Sequence, residues 1–161
     1  MKKVVLLIGG NIGDRMSCIN QAISLIDKHI GKITASSSLY ETAAWGEENQ
    51  AAFLNRVVCA DTNKQAEEVM STVLEIENKL GRIRNGKWQQ RKIDIDILFY
   101  ENEIIEQENL KIPHPHLHQR RFTLVPLVEV LPDFIHPKVN KTSTELLKKC
   151  EDTLSVKVFE S

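Results

Sequence analysis

The sequence lacks an apolar run long enough to cross a membrane, and it lacks the charge imbalance typical of a polyanion-binding surface. Of its 161 residues 42% are hydrophobic, which is ordinary for a globular protein, and the formal net charge is only −1. A general attraction to nucleic acid or to an anionic membrane is therefore excluded, and any polyanion site must be a local basic patch. We expect small-molecule partners, with no nucleic acid, no membrane and no requirement for an oligomer.

Cysteine is also scarce. Cys18, Cys59 and Cys150 are odd in number, and their spacing matches neither a disulfide framework nor a metal-binding motif. We expect three buried free thiols in a reducing, cytoplasmic setting. The first apolar run ends in Gly-Gly-Asn without a small-residue cleavage pattern, so we interpret it as a first strand.

The hydrophobic pattern predicts an α+β fold. A strand, a helix beginning near Asp14, two strands, a helix ending at Gly81 and another strand follow one another along residues 3–100. This βαββαβ order is typical of the ferredoxin-like fold, a two-layer sandwich of antiparallel sheet and helices. Residues beyond 100 predict a C-terminal helical extension with an interruption at Pro126. We expect one domain over residues 1–161.

Two carboxylates interrupt an apolar strand in RKIDIDILFY, residues 91–100. Because strand side chains alternate between faces, Asp94 and Asp96 share one side, with Cα atoms about 6.6 Å apart, while the isoleucines share the other. Aspartate is unfavourable in strands, so the pair indicates a function. The alternative is an antiparallel strand with one hydrated face.

A basic segment directly precedes this strand. It carries five positive side chains and no acidic one: Arg82, Arg84, Lys87, Arg91 and Lys92. A solvated loop is the simple interpretation of such a run. Beside two carboxylates, however, the segment suits a metal-complexed polyphosphate, since carboxylates bind Mg²⁺ and guanidinium groups bind phosphate oxygens.

Three histidines alternate in the segment HPHLH, residues 114–118. A zinc site is one interpretation, but a proline-interrupted loop does not enforce ligand geometry and no further ligand cluster is evident. We favour His114, with the following Arg120, as hydrogen-bond donors to phosphate.

Together these motifs resemble the 6-hydroxymethyl-7,8-dihydropterin pyrophosphokinase family of folate biosynthesis. The resemblance rests on GGNIGD (residues 9–14), YETAAWG (40–46), FLN (53–55), GRIRNGKWQQRKIDIDIL (81–98) and PHPHLHQRRFTLVPLVEVLP (113–132). The segment that joins the arginines to the D-x-D pair is the most specific of them.

The resemblance implies an enzyme that transfers pyrophosphate from MgATP to the pterin hydroxymethyl group and releases AMP. Asp94 and Asp96 would then bind two Mg²⁺ ions, and Arg82 and Arg91 would form a catalytic clamp. The remaining ATP-binding candidates are Arg84, Lys87, Trp88, His114, Arg120 and Glu77. A surface helix acid is the alternative for Glu77.

For the pterin, the resemblance implies that Phe53 and Phe122 stack on the two faces of the heterocycle. Two core aromatics are the alternative interpretation. Asn55 would read the amide edge of the ring. Thr42, Ala43 and Trp45 would complete the substrate-binding set.

Two other classes of protein remain. A magnesium-dependent phosphohydrolase would use the same carboxylates and arginines, but it would not explain the Phe53, Asn55 and Phe122 pocket. A nucleic-acid-binding ferredoxin-like module would need aromatic side chains patterned along its strands, which this sequence lacks.

Overall fold

The computed structural model describes residues 1–42, 52–81 and 93–159. The strands are β1 (Lys2–Gly10), β2 (Lys32–Ser36), β3 (Tyr40–Thr42), β4 (Phe53–Thr62), β5 (Asp94–Tyr100), β6 (Ile105–Gln107), β7 (Leu110–Ile112) and β8 (Val156–Val158). The helices are α1 (Arg15–His29), α2 (Ala66–Lys79), α3 (Arg121–Val130) and α4 (Ser143–Lys149), and a 3-10 turn spans Leu117–Gln119.

One antiparallel sheet of six strands organises the described part of the chain. Its order is β5-β1-β4-β3-β8, and β2 pairs with another part of β4. Strands β6 and β7 form a separate antiparallel hairpin. The predicted α+β class with an antiparallel sheet and packed helices is confirmed.

Helices cover both faces of the sheet, so the two-layer expectation holds only for the sheet with α1 and α2, and the helices of the C-terminal extension add a third layer. On β1, Val4, Leu6 and Ile8 pack into a core with α1 and α2, whereas Val5 and Leu7 pack into a second core with α3 and α4. A strand buried on both faces has a continuous apolar sequence rather than an alternating one. The run VVLLI in β1 is of that kind.

The start of α1 follows a local sequence signal, whereas the proline in α3 does not interrupt that helix. The Asp14 side chain accepts a hydrogen bond from the Ser17 N–H at 3.1 Å, as expected of the residue that caps α1. The predicted interruption at Pro126 is wrong, because α3 continues through it from Arg121 to Val130. Its buried residues Leu124 and Leu127 flank the proline and pack into the second core, which offsets the missing backbone donor.

The cysteines differ in burial. Cys59 is buried, whereas Cys18 and Cys150 are only partly buried, so the expectation of three buried thiols is wrong for two of them. Both lie at the margins of the cores, on the helix α1 and just after α4. Among the described residues, no helix combines the length and hydrophobicity needed to cross a bilayer.

Candidate active site

The two aspartates lie on the sheet face that α3 and α4 only partly cover. Asp96 lies opposite Leu7 and Asp94 opposite Gly9 in the pairing of β5 with β1. Ile93, Ile95 and Ile97 point to the core with α1 and α2, so the predicted alternation is confirmed over this part of the strand. Both carboxylates are half-buried and line the same cavity.

Gly9 lets the Asn55 side chain approach the end of β1. The two residues are register partners in the β1–β4 pair, and a Cβ placed on Gly9 would lie 2.3 Å from the Asn55 Oδ1. The amide therefore occupies the space that any other residue at position 9 would fill. This close approach brings Asn55, which is 5% exposed, to the same end of the sheet as Asp94.

These residues open into a cavity of about 1010 Å³. Its walls come from the strand ends, the turn before α3 and the chain after α4: Leu7, Gly9, Thr42, Phe53, Asn55, Asp94, Asp96, His116, His118, Gln119, Arg120, Phe122, Lys149, Cys150, Glu151, Asp152 and Leu154. The volume lies at the upper end of small-molecule sites, and it combines apolar walls with a few polar groups.

Aromatic side chains come from two elements at this cavity. Phe53 begins β4 opposite Thr42, and Phe122 lies in the first turn of α3. The Arg120 guanidinium carbon lies 5.7 Å from the centroid of the Phe122 ring, close enough for a cation–π contact. Thr42 Oγ1 is buried and has no hydrogen-bond partner within the described part of the chain. A buried hydroxyl without a partner is available to form a hydrogen bond with a polar group of a ligand.

His114 is neutral at pH 7. Burial, with Arg120 as a second cause, lowers its pKa from 6.5 to about 4. Its Nδ1 accepts the His116 main-chain N–H at 3.2 Å, so the proton resides on Nε2. His114 can therefore donate one hydrogen bond, although it is not among the cavity-lining residues.

Glu77 is buried, with 4% of its surface exposed, so the surface-acid alternative is wrong. Its Oε2 accepts the Ile95 N–H at 2.9 Å, along the outer edge of β5. Ile95 separates the two aspartates in the sequence. Glu77 thus supports the strand from the side opposite β1, and it does not line the cavity.

The zinc interpretation gains no support. Within residues 1–42, 52–81 and 93–159, no three His, Cys, Asp or Glu side chains are grouped closely enough to hold a metal ion. The His114 and His116 rings contact each other edge to face, and the His116 Nδ1 faces the Gln119 Oε1 at 3.3 Å. An aspartate pair of oxygen ligands instead suits a hard cation such as Mg²⁺.

Comparison with known proteins agrees with this chemistry. The family model for 7,8-dihydro-6-hydroxymethylpterin-pyrophosphokinase (HPPK) matches residues 5–132. The chain belongs to the HPPK family. It is an enzyme, a pyrophosphokinase, and the expected resemblance is confirmed.

Relatives of similar length have the same designation. A 2-amino-4-hydroxy-6-hydroxymethyldihydropteridine pyrophosphokinase of Aquifex aeolicus is 42% identical over 154 residues, which cover 96% of this chain and 94% of that protein. The Bacillus subtilis enzyme of that name is 42% identical over 126 residues, 78% of this chain and 75% of the relative.

The fold also matches solved structures. The Plasmodium falciparum HPPK-DHPS S436F/A437G/A613T triple mutant superposes with a TM-score of 0.77 at 19% identity. The match covers 92% of this chain but only 43% of that longer one. At this identity the likeness concerns the fold alone.

Seven of the residues predicted for an HPPK site line the cavity together: Thr42, Phe53, Asn55, Asp94, Asp96, Arg120 and Phe122. Seven others lie outside the described residues: Arg82, Arg84, Lys87, Trp88, Arg91, Ala43 and Trp45. Other lining residues were not predicted as site residues, among them His116, His118, Gln119, Lys149, Cys150, Glu151, Asp152 and Leu154. The HPHLH motif contains His116 and His118, whereas the lining residues from Lys149 to Leu154 belong to no motif.

Proposed function

We propose that this HPPK-family protein transfers the pyrophosphoryl group of MgATP to the hydroxymethyl oxygen of 6-hydroxymethyl-7,8-dihydropterin and releases AMP, a step of folate biosynthesis. The observation that carries the proposal is the juxtaposition of an aspartate pair with a pocket of two phenylalanines and an asparagine in one cavity. A phosphohydrolase would need the carboxylates but not the aromatic pocket. The designation of the Aquifex aeolicus and Bacillus subtilis relatives supports the same reaction.

The pterin occupies the part of the cavity between Phe53 and Phe122. A flat heterocycle gains contact area and stacking energy from an aromatic side chain on each face. Asn55 offers one acceptor and a donor group to the amide edge of the ring, and the Thr42 hydroxyl adds a further polar contact. Ala43 and Trp45 would complete the substrate-binding set.

The metal-binding end of the cavity is Asp94 and Asp96. Their carboxylates are the oxygen ligands that Mg²⁺ prefers, and they emerge on one face of β5, which pairs with β1 on one side and is bonded by Glu77 on the other. They would hold two Mg²⁺ ions, which supply charge neutralisation and orientation to the bound triphosphate. The rigid strand fixes the spacing of the two carboxylates before any ligand binds.

Cationic and neutral donors surround the triphosphate. Arg120 approaches from the start of α3, and neutral His114 donates from Nε2. Arg82 and Arg91 form the catalytic clamp, which stabilises the charge that develops on the departing oxygen. Glu77 acts by holding the strand of the aspartates, and Arg84, Lys87 and Trp88 close over the nucleotide to exclude water.

The transfer is a direct in-line displacement. The hydroxymethyl oxygen forms a bond to the β-phosphorus, the bond from this phosphorus to the α,β-bridging oxygen breaks, and AMP leaves with the bridging oxygen. The hydroxyl proton is released, and no covalent intermediate with the protein forms. We further propose that residues 1–161 act as one monomeric cytoplasmic domain, whose βαββαβ part is ferredoxin-like with β2 and β3 together taking the place of the second strand.

Product analysis tests this function. The protein is incubated with ATP, Mg²⁺ and the pterin, and nucleotides are separated by chromatography. We expect AMP that depends on the pterin and disappears in the Asp94→Ala, Asp96→Ala variant. ADP, or phosphate release without the pterin, would refute pyrophosphoryl transfer and support the hydrolase.

A further inference from the structure

The chain after α4 forms one wall of the cavity, although its sequence carries no recognisable motif. Asp152 and Leu154 line the cavity together with Lys149, Cys150 and Glu151. This wall faces the pocket from the side of α3. A segment in that place can set where the neighbouring binding residues point.

Asp152 ties this wall to the start of α3. Its Oδ2 accepts the main-chain N–H of Arg121, the first residue of the helix, at 3.0 Å. Its Oδ1 accepts the Leu154 N–H, also at 3.0 Å. Both oxygens therefore bind main-chain donors of the protein.

The bond to Arg121 replaces a cap that α3 lacks. The residue before the helix, Arg120, makes no side-chain capping bond. A carboxylate at a helix N-terminus satisfies a free N–H group and interacts favourably with the helix dipole. Asp152 supplies that carboxylate from 31 residues further along the chain.

Arg121 stands between two residues of the cavity. Arg120 precedes it and Phe122 follows it, and their side chains contact each other across 5.7 Å. Fixing the main chain of Arg121 therefore fixes the directions in which both neighbouring side chains leave the backbone.

The same segment also reaches the opposite wall. Strand β8 extends the sheet beside β3, with Val156 opposite Thr42. The Phe159 N–H donates to the Leu39 carbonyl at 2.8 Å, just before β3. The chain from Asp152 to Phe159 thus joins α3, which carries Phe122, to β3, which carries Thr42.

We propose that residues 152–159 form a clasp that holds the two walls of the cavity at their working separation, with Asp152 as a positioning residue for Arg120 and Phe122. The identity of the two ligands rests on the proposed function. The clasp itself rests on the hydrogen bonds of Asp152 and of β8. Loss of the clasp should weaken the binding of both substrates more than it slows the reaction of the substrates once they are bound.

Steady-state kinetics tests the clasp with Asp152→Ala and Asp152→Asn. Asp152→Ala removes both bonds, and we expect the KM of the pterin and of ATP to rise about tenfold while kcat changes less than about twofold. Asp152→Asn keeps one acceptor oxygen and should give an intermediate KM, and it serves as the test variant if the alanine protein does not fold.

Asp27→Ala is the matched control. Asp27 also accepts a main-chain N–H, that of Ile33 at 3.0 Å, but it lies at the end of α1 away from the cavity. We expect its KM values to remain those of the unmodified protein. Equal KM values in the Asp152 and Asp27 variants would overturn the proposal.

A double-mutant cycle identifies the route of the effect. If Asp152 acts through the aromatic wall, Asp152→Ala should raise the pterin KM much less in a Phe122→Ala background than alone. If the two substitutions raise the pterin KM by factors that simply multiply, Asp152 does not act through Phe122.

Hydrogen exchange of the protein without ligands separates this proposal from the proposed function. Asp152→Ala should speed exchange of the Arg121 amide at least about tenfold relative to Asp27→Ala, whether or not the protein makes AMP. An unchanged rate would refute the clasp. A protein that shows the change but forms no pterin-dependent AMP would refute only the proposed function.

Discussion

A methyl group added at Gly9 tests whether the asparagine in the cavity recognises the pterin. In Gly9→Ala the new Cβ would lie 2.3 Å from the Asn55 Oδ1, whereas ordinary contacts begin near 3.4 Å. The β1 backbone is fixed by pairing with β4 and β5 on both sides, so it cannot retreat. The asparagine side chain must move by about 1 Å.

This displacement is large on the scale of recognition. A misplacement of about 1 Å can cost about a hundredfold in rate, and an unmade buried hydrogen bond costs about 1–3 kcal/mol. We expect the KM of the pterin to rise about 10- to 100-fold, because Asn55 reads the edge of the ring. The KM of ATP should change little, since no proposed nucleotide contact involves Asn55.

Initial rates of AMP formation against pterin concentration, at saturating MgATP, measure the effect. Asn55→Ala provides the control, because it removes the atom that the new methyl group meets. In that background Gly9→Ala should add almost nothing to the KM. An unchanged pterin KM in Gly9→Ala, or effects of the two substitutions that simply multiply, would refute the assignment of Asn55.

Three further outcomes follow from the described contacts. Glu77→Ala leaves the Ile95 N–H without its acceptor, so urea unfolding should show that the free energy of unfolding falls by about 1–3 kcal/mol, and the Mg²⁺ concentration needed for activity should rise. An unchanged unfolding midpoint would contradict the support of β5 by Glu77. Burial lowers the pKa of His136 from 6.5 to about 4, so the folded state favours the neutral ring, and the unfolding free energy should fall as the pH drops from 6.5 towards 4. If the unfolding free energy of a His136→Asn variant depends on pH as steeply as that of the unmodified protein, this expectation is refuted. Gly31→Ala places a Cβ 1.9 Å from the Asp61 carbonyl oxygen, so it should lower the urea midpoint of unfolding and leave the KM values of the folded enzyme unchanged. An unaltered midpoint would contradict the expected clash.

The part of the fold that depends on local pattern could be predicted from sequence. The apolar runs and helix signals give the order of elements, and the alternation of isoleucine with Asp94 and Asp96 gives the two faces of β5. The continuous apolar run of β1 indicates burial on both faces, but no local pattern tells that α3 and α4 cover the second face.

Site residues likewise differ in whether a local sequence pattern reveals them. The aspartates stand out because carboxylates are unfavourable in a strand, whereas Phe53, Asn55 and Phe122 were assigned only by resemblance to a family. The role of Gly9 depends on the register of β1 with β4, which no local signal contains. Asp152 bonds to a residue 31 positions away, so only the folded chain brings it to the cavity.

The most direct test of pyrophosphoryl transfer follows a radiolabel on the γ-phosphate of ATP. The protein is mixed with labelled ATP, Mg²⁺ and the pterin, the label in the pterin product and in free phosphate is counted, and AMP is quantified by its absorbance. We predict one labelled pterin for each AMP formed, and neither labelled pterin nor AMP with Asp94→Asn or Asp96→Asn, while Asp27→Ala behaves as the unmodified protein. Label recovered as free phosphate, with an unmodified pterin, would contradict the account.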